Sequence, residues 1–232
     1  MVQAELSKAP DNAGVRLLSA RVAERAGDHD VMIAEINGLV AKSPESAELF
    51  MMLGRAYRIA GKNPEAVEAF SKARQLKPGE VATNLNLALA YEAMGDRVKA
   101  KPLYEQVLNL SPDNPIALNN LAYTLAETGG DLELALKYAV RARQKYPQDG
   151  DIADTLGWIY IRKNLSENAI HIFQDLVRQN PAHVTWRYHL AMALFQKGDK
   201  PNARRELEAA LKNKPTRDEE GRIRELLAKT GP

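Results

Sequence analysis

The chain contains no cysteine, so disulfide bonds, thiol catalysis and cysteine-ligated zinc are excluded, although the cellular compartment is left open. It also lacks an excess of one charge, since 32 lysines and arginines stand against 30 aspartates and glutamates for a net charge of +2. Nucleic-acid-binding proteins usually carry a concentrated basic footprint, so we expect no nucleic-acid partner. No apolar run approaches the roughly 18 residues of a membrane span, and we expect no direct membrane insertion.

Residue constellations typical of catalysis are missing as well. The four histidines are His29, His171, His183 and His189, and none forms the helical pair with an intervening glutamate that binds zinc. Neither a phosphate-binding glycine loop nor a nucleophile elbow is present. The sequence therefore indicates a protein that is not an enzyme and that needs neither a cofactor nor a metal ion.

What the chain does have is proline at a fixed period. The spacing is 34 or 35 residues, at Pro10, Pro44, Pro78, Pro112, Pro147, Pro181 and Pro215. A constant period of this length indicates a stack of supersecondary units, each touching only its neighbours. We divide the chain accordingly into six units, at residues 13–46, 47–80, 81–114, 115–149, 150–183 and 184–217.

Each unit is predicted to fold as two packed helices. Small residues recur at its eighth position, which is Ala20, Gly54, Ala88, Ala122, Gly157 and Ala191. With Met32 as the exception, they recur at the twentieth position, as Ala66, Ala100, Ala135, Ala169 and Ala203. A large side chain at either place would overpack the helix contact, at a cost of about 1–3 kcal/mol. Turn residues such as Gly61-Lys62 and Gly95-Asp96 separate the two helices, and the periodic proline ends the second.

This pattern resembles the tetratricopeptide repeat family. The resemblance is plainest in Phe50, Leu53, Gly54, Tyr57, Ala66, Phe70, Ala73 and Pro78, and it extends over nearly the whole chain. It implies an all-α fold, a right-handed α-solenoid of tandem antiparallel helix pairs with about six units. The first full unit departs most, because Ser19, Met32 and Leu39 replace the usual Leu, Ala and Ala.

The two ends are expected to differ from the repeats. Residues 218–232 predict a capping helix and tail, with Ile223, Leu226 and Leu227 on one side. Residues 1–12 are interpreted as the end of a truncated preceding unit, so we expect a fragment of a longer bacterial-type array. Because a targeting segment can be absent from such a fragment, the compartment stays undecided between cytoplasm and periplasm.

In the family that the sequence resembles, the first helix of each unit lines a concave groove. Transferred residue by residue, the groove positions include Arg21, Arg55, Asn86, Asn120, Tyr123, Asp154, Trp158, Tyr188 and Met192. Asn86 and Asn120 share one repeat position and could hold a peptide backbone through their amides, unless asparagine is simply common there. Tyr123 and Trp158 share another and would form an aromatic platform, unless Trp158 belongs to the core. Trp186 is expected to pack between units.

The leading hypothesis is a non-enzymatic scaffold that binds a protein or peptide segment in this groove. Mixed charge and the aromatic pair suggest a partner with basic and apolar elements at one end. One alternative is an assembly segment that forms homo-oligomers through exposed apolar surface. Another, by analogy with long bacterial arrays, is the regulatory arm of an envelope, secretion or exopolysaccharide export system.

Overall fold

The computed structural model describes residues 12–231, and in this range the chain forms thirteen helices and no strand. The helices are α1 (Ala13–Ala26), α2 (His29–Lys42), α3 (Ala47–Ile59), α4 (Asn63–Leu76), α5 (Val81–Ala93), α6 (Arg97–Leu110), α7 (Pro115–Glu127), α8 (Leu132–Lys145), α9 (Gly150–Arg162), α10 (Ser166–Gln179), α11 (Val184–Lys197), α12 (Lys200–Lys212) and α13 (Arg217–Lys229). The predicted all-α fold is confirmed. The truncated unit predicted at 1–12 lies outside the described residues except for Asn12, whose side chain caps α1.

The molecule divides after Pro112 into two compact units, which we call unit 1 (α1–α6) and unit 2 (α7–α13). Within each unit, every helix packs against the helices that precede and follow it in the chain. In unit 1, α3 also contacts α5, and in unit 2 the contacts α7–α9, α9–α11 and α11–α13 are added. Each unit is therefore a solenoid held together by near neighbours in sequence.

The turn between the two helices of a pair has a consistent construction. Gly27, Gly95 and Gly198 adopt the left-handed backbone, with φ of 73°, 76° and 91°. The aspartate that follows each of them caps the next helix, as in Asp28, whose carboxylate accepts from the Val31 N–H at 3.1 Å. Glycine closes one helix and aspartate opens the next, and this explains the repeated Gly-Asp dipeptide. Asn164 is the non-glycine residue that fills the same place, at φ 58°.

The periodic prolines lie between one helix pair and the next. Pro44, Pro78 and Pro181, for example, stand in the links α2–α3, α4–α5 and α10–α11. Most of the helices that follow are capped by a side chain, from Ser46, Asn114, Asp149, His183 and Thr216. The proline and the capping residue together fix where one pair stops and the next begins.

The small residues of the repeat pattern lie in the interior. Ala66, Ala88, Ala100, Ala122, Ala135, Ala169, Ala191 and Ala203 have no measurable exposure, and Gly54 and Gly157 are buried. A Cβ added to Gly54 would lie 2.5 Å from the ring of Phe70, and one added to Gly157 would lie 2.6 Å from the ring of Phe173. These two glycines therefore make room for a phenylalanine from the partner helix.

The first helix pair replaces part of its apolar contact with a buried polar group. Ser19 stands where most units have leucine, and its hydroxyl lies 3.4 Å from the carboxylate of Glu35. Glu35, itself buried, forms an ion pair with Arg16 at 2.9 Å. The Arg16 guanidinium passes directly over Gly38, where a Cβ would collide with it. The departure of this pair from the pattern is thus compensated by hydrogen bonds within it.

The last helix covers the end of unit 2. α13 packs against α11 and α12, and its Ile223 is 1% exposed. Trp186 packs between helix pairs, as expected, because its indole lies 2.9 Å from where a Cβ of Gly150 would be and stacks on His183 at 3.9 Å. Aromatic and aliphatic side chains thus close the contacts between successive pairs.

Candidate partner-binding surface

The first helices of the pairs are α1, α3 and α5 in unit 1, and α7, α9 and α11 in unit 2. We call the face that they form in each unit the first-helix wall of that unit. In unit 2 these helices contact one another directly, whereas no such contact joins α8, α10 and α12 in this part of the described chain. Helices that approach more closely lie on the inside of a curve. The wall of unit 2 therefore lies on the inner side of that unit, where the groove was predicted.

In unit 1 the wall contains a shallow open pocket with a volume of about 150 Å³, which we call the arginine pocket. Its floor is apolar and comes from α2 and α3, with Met32, Ile36 and Met52. Its rim includes Arg21, Glu24 and Arg55, so the structure brings two predicted groove residues together. Ile59 closes one end and is 44% exposed.

The arginines of this wall are not neutralised by the described chain. Arg21, Arg25, Arg55 and Arg58 are exposed, and none forms a hydrogen bond or ion pair with another described residue. Glu24 is the single carboxylate among the residues that line the pocket. The pocket therefore combines an apolar floor with an excess of positive charge at its rim.

The two asparagines of the predicted ladder are both half-buried. Asn86 in unit 1 donates its side-chain amide to the Ala82 carbonyl oxygen of its own helix at 2.8 Å. Asn120 in unit 2 accepts from the Asn119 amide at 3.2 Å, and Tyr123, one turn further on, is also half-buried. One of the two Asn86 amide hydrogens is thus used within its helix, which leaves the second N–H and the carbonyl oxygen of that side chain for a partner.

The Trp158 ring lies on the wall of unit 2, partly buried against the core cluster of that unit. Its indole N–H donates to Glu127 Oε1 at 2.8 Å, and Arg162 reaches the same oxygen at 3.2 Å. The Arg162 guanidinium also lies 6.0 Å from the centre of the indole ring. Glu127 therefore joins α7 to α9 and fixes the orientation of the tryptophan.

Asp154 lies one turn before Trp158 and is bound to the next helix pair. Its carboxylate is 2.8 Å from Nδ1 of His189 on α11. The His189 ring lies 5.2 Å from Trp158 and 5.4 Å from Phe173, centre to centre. The predicted groove residues Asp154 and Trp158 thus meet in one cluster, with His189 between α9 and the core.

The remaining two predicted groove residues, Tyr188 and Met192, lie on α11. Tyr188 lines a small pocket with Thr185, Glu219 and Arg222, and the Arg222 guanidinium lies 5.9 Å from its ring centre. Burial raises the pKa of its hydroxyl above the ordinary value. Because Arg222 lies on α13, Tyr188 faces that helix. Met192 is half-buried at the margin of the core cluster.

Two features of the first-helix walls were not singled out from the sequence. The first is Glu127, whose thirteenth position in the unit is one that the family exposes on its groove, so the repeat register carried a signal for it. The second is the floor of the arginine pocket, formed by Met32, Ile36 and Met52. Met32 occupies a site that is alanine in the other units, and this departure was the signal that pointed to it.

Nothing in the described range suggests a metal centre or a membrane span. Across residues 12–231, no three histidine, aspartate or glutamate side chains come together in an arrangement that could hold a metal ion. None of the helices in that range combines the length and the hydrophobicity required to cross a bilayer.

Comparison with known proteins supports the repeat assignment. A sequence model described as "Tetratricopeptide repeat" matches residues 85–150 and 155–218, and one described as "TPR repeat" matches residues 54–95. A TPR repeat-containing protein of Pseudomonas aeruginosa is 23% identical over 181 residues, which are 78% of this chain and 31% of that protein. The chain therefore spans about a third of the length of this curated relative.

Solved structures show the same fold. A tetratricopeptide repeat protein from Parabacteroides merdae has a TM-score of 0.78 at 17% identity, with 95% of this chain and 99% of that chain covered. YrrB, described as a TPR protein with an unusual peptide-binding site, has a TM-score of 0.65 at 17% identity, with 82% and 97% covered. With the family models matching more than half of its length, the chain belongs to the tetratricopeptide repeat family, whose members are in general non-enzymatic scaffolds for binding proteins or peptides.

Proposed function

We propose that this chain is a non-enzymatic scaffold, built of six repeat units at the boundaries given above, that binds a protein segment on its first-helix wall. The observation that carries the proposal is the composition of that wall in unit 1. It combines an apolar pocket floor with arginines that have no partner in the described chain. Apolar surface rimmed by polar groups is typical of interaction sites.

The wall of unit 2 supports the proposal in a different way. Asp151 is exposed at its edge, and Tyr123 is partly exposed. Trp158 and Asp154, in contrast, are already held by Glu127 and His189. A side chain that is fixed before binding loses little conformational entropy when a partner arrives, so it presents a preorganised surface.

A peptide-binding relative of the same fold gives further support. YrrB is described as carrying an unusual peptide-binding site, and it shares the fold at 17% identity. We propose an extended or helical segment of another protein as the occupant, and no cofactor or metal ion as a requirement. The second helices of the pairs, on the outer side of unit 2, are then support for the wall.

Site-specific photo-crosslinking in the native cell extract tests this function. A photoreactive amino acid replaces Leu18 or Asp151 on the wall, and in control variants it replaces Lys72 or Arg205 on second helices. Leu18 is 51% exposed, and the other three residues are exposed as well, so reactivity is comparable at all four. We expect discrete crosslinked products from the two wall positions and none of those products from the controls.

Two results would contradict the proposal. Crosslinks that form equally well from second-helix positions would show that the wall has no special role. Products at twice the mass of the chain, found with purified protein alone, would instead indicate self-association. We also expect that a chelator leaves the thermal unfolding of the chain unchanged, because no residue cluster in the described range is suited to hold a metal ion.

A further inference from the structure

The arginine pocket of unit 1 differs in charge balance from the wall of unit 2. In unit 2, Glu127 is bonded to Trp158 and Arg162, and Asp154 to His189. These charged groups are thus paired within that unit. In unit 1, Arg21 and Arg55 share one pocket and have no partner among the described residues. Their guanidinium groups are therefore available to pair with carboxylates of a partner.

From this contrast we infer that the arginine pocket binds a partner segment in which one aliphatic side chain is flanked by glutamate or aspartate side chains. The inference rests on the proposed function and gives the chemical class of its partner. The aliphatic side chain sits on the floor of Met32, Ile36 and Met52, and the carboxylates pair with Arg21 and Arg55.

The floor suits an aliphatic side chain better than a polar one. Its three residues are apolar, and the shallow concavity has a volume of about 150 Å³. Methionine is flexible and polarisable, so two methionines allow the floor to adapt to leucine, isoleucine or valine. Leu18, three residues before Arg21 on α1, extends the apolar surface of the wall.

The rim selects for negative charge. Arginine presents a planar fork of donors that matches a carboxylate, and two such groups stand on neighbouring first helices. Arg25 and Arg58 add to the positive potential, whereas Glu24 removes one charge from it. A lysine-bearing segment would meet repulsion from four guanidinium groups. Charge complementarity of this kind determines specificity and the association rate.

The test uses a defined probe, a short peptide with acetylated and amidated ends in which one leucine stands between pairs of glutamates. Methyl-labelled methionine is observed by NMR in the full chain, where Met32 and Met52 report on the pocket. Met94 and Met192 lie outside it and serve as internal controls. We expect saturable shifts at the two pocket methionines alone, weakened as salt concentration rises.

Matched peptides and variants separate the contributions. Replacing the glutamates by lysine, or the leucine by serine, is expected to weaken binding about tenfold or more. The variant Arg21→Glu/Arg55→Glu is expected to lose binding by the same factor, and Arg21→Gln/Arg55→Gln to lose part of it. The control Lys72→Glu/Arg205→Glu makes an identical change in net charge on second helices and is expected to bind like the original chain. All these residues are exposed, so the fold is retained and circular dichroism verifies it.

Several outcomes would overturn the inference. These are equal binding of the lysine or serine peptide, equal loss in the second-helix control, or the absence of pocket shifts with the glutamate peptide. Sedimentation of the chain alone that shows a dimer broken by Arg21→Glu/Arg55→Glu would assign the pocket to a second copy. If the peptide fails while wall crosslinks to another protein persist, the proposed function stands and this partner chemistry is wrong.

Discussion

At the scale of single residues, a glycine at the eighth position of the repeat makes room for an aromatic ring. Where the eighth position is glycine, the residue sixteen further along is phenylalanine, as in Gly54 with Phe70 and Gly157 with Phe173. Where the eighth position is alanine, the corresponding residue varies in size, from Ile36 after Ala20 to Tyr104 after Ala88. At Gly54 and Gly157, close packing explains the glycine, because one added methyl group needs space that the opposite ring already fills.

The first prediction follows from this close packing. Gly54→Ala is expected to destabilise the chain by about 1–3 kcal/mol, since the new Cβ would lie 2.5 Å from a buried phenylalanine ring. Gly157→Ala is expected to behave alike. Chemical denaturation followed by circular dichroism measures both.

Two controls make the result interpretable. Gly221→Ala lies on the exposed face of α13 with nothing near the new methyl, and it should stabilise by about 0.5–1 kcal/mol. The double change Gly54→Ala/Phe70→Leu reproduces the alanine–aliphatic combination of the first unit, and it should recover most of the lost stability. A Gly54→Ala chain as stable as the original would show that Phe70 can move, against the proposed packing.

Trp158 shows which properties of a single residue the repeat pattern predicts and which it does not. The repeat register places Trp158 one residue beyond Gly157, and this favoured a groove position over a core position. The bond from Trp158 to Glu127 spans 31 residues, and it depends on how one helix pair is rotated against the next. Side-chain chemistry alone does not determine that rotation. A sequence pattern therefore gives the face of a residue more readily than its partner.

At the scale of helices, the sequence predicts where a helix begins and ends more readily than which contacts its surface makes. Gly27-Asp28 illustrates the reason, because Gly27 adopts the left-handed backbone and Asp28, directly after it, caps the next helix. Both requirements are local, so they are visible without knowledge of the fold. The capping box of α13, with Thr216 and Glu219, is equally local.

The second prediction concerns this capping box. Thr216→Ala removes a hydroxyl that accepts from the Glu219 N–H, and loss of such a cap costs about 1 kcal/mol. Because α13 covers the end of unit 2, we expect its amides to exchange faster with solvent while those of α7 change little. Hydrogen exchange read by mass spectrometry measures this. Equal acceleration across unit 2 would contradict a local role.

The third prediction concerns the pH dependence of α13. The Thr216 N–H, followed by the Thr216 and Thr185 hydroxyls, lowers the pKa of Glu219 below its ordinary value by bonding to the carboxylate. A group with a lowered pKa stabilises the fold fully above about pH 4.5, its ordinary value, and this contribution disappears as the pH falls through the folded-state pKa.

Protection of the α13 amides should therefore decrease on acidification below pH 4.5, and Glu219→Gln should remove part of that dependence, because Glu225 on the same helix also has a lowered pKa through its bond to Lys229. Comparing the exchange free energies of the two chains, rather than their raw exchange rates, isolates the contribution of the carboxylate. A glutamine variant with an unchanged acid response would assign the effect to other carboxylates.

At the scale of the whole molecule, the near-neighbour contacts decide how instability spreads. Within each unit, every helix packs on the helices beside it in the chain, and the stability of such an array is close to a sum of local terms and neighbour contacts. The number of helices, their order and their pairing were accessible from the proline period for the same reason. The arginine pocket was not, because its floor residues come from two helix pairs and nothing in one pair alone defines the concavity.

The last prediction uses this locality. Gly54→Ala should accelerate amide exchange most in α3 and α4, less in α2 and α5, and not measurably in α11 to α13. Gly157→Ala should give the mirror pattern, with the maximum in α9 and α10 and little change in α1 to α3. The physical reason is that each destabilised pair loses its own packing first, while distant pairs keep every contact they had. Mass-spectrometric exchange on the two variants, at a denaturant concentration well below the unfolding midpoint, resolves the helices separately. Uniform acceleration along the chain by either variant would mean that the array unfolds as one cooperative body, and the description in terms of near-neighbour contacts would then have to be abandoned.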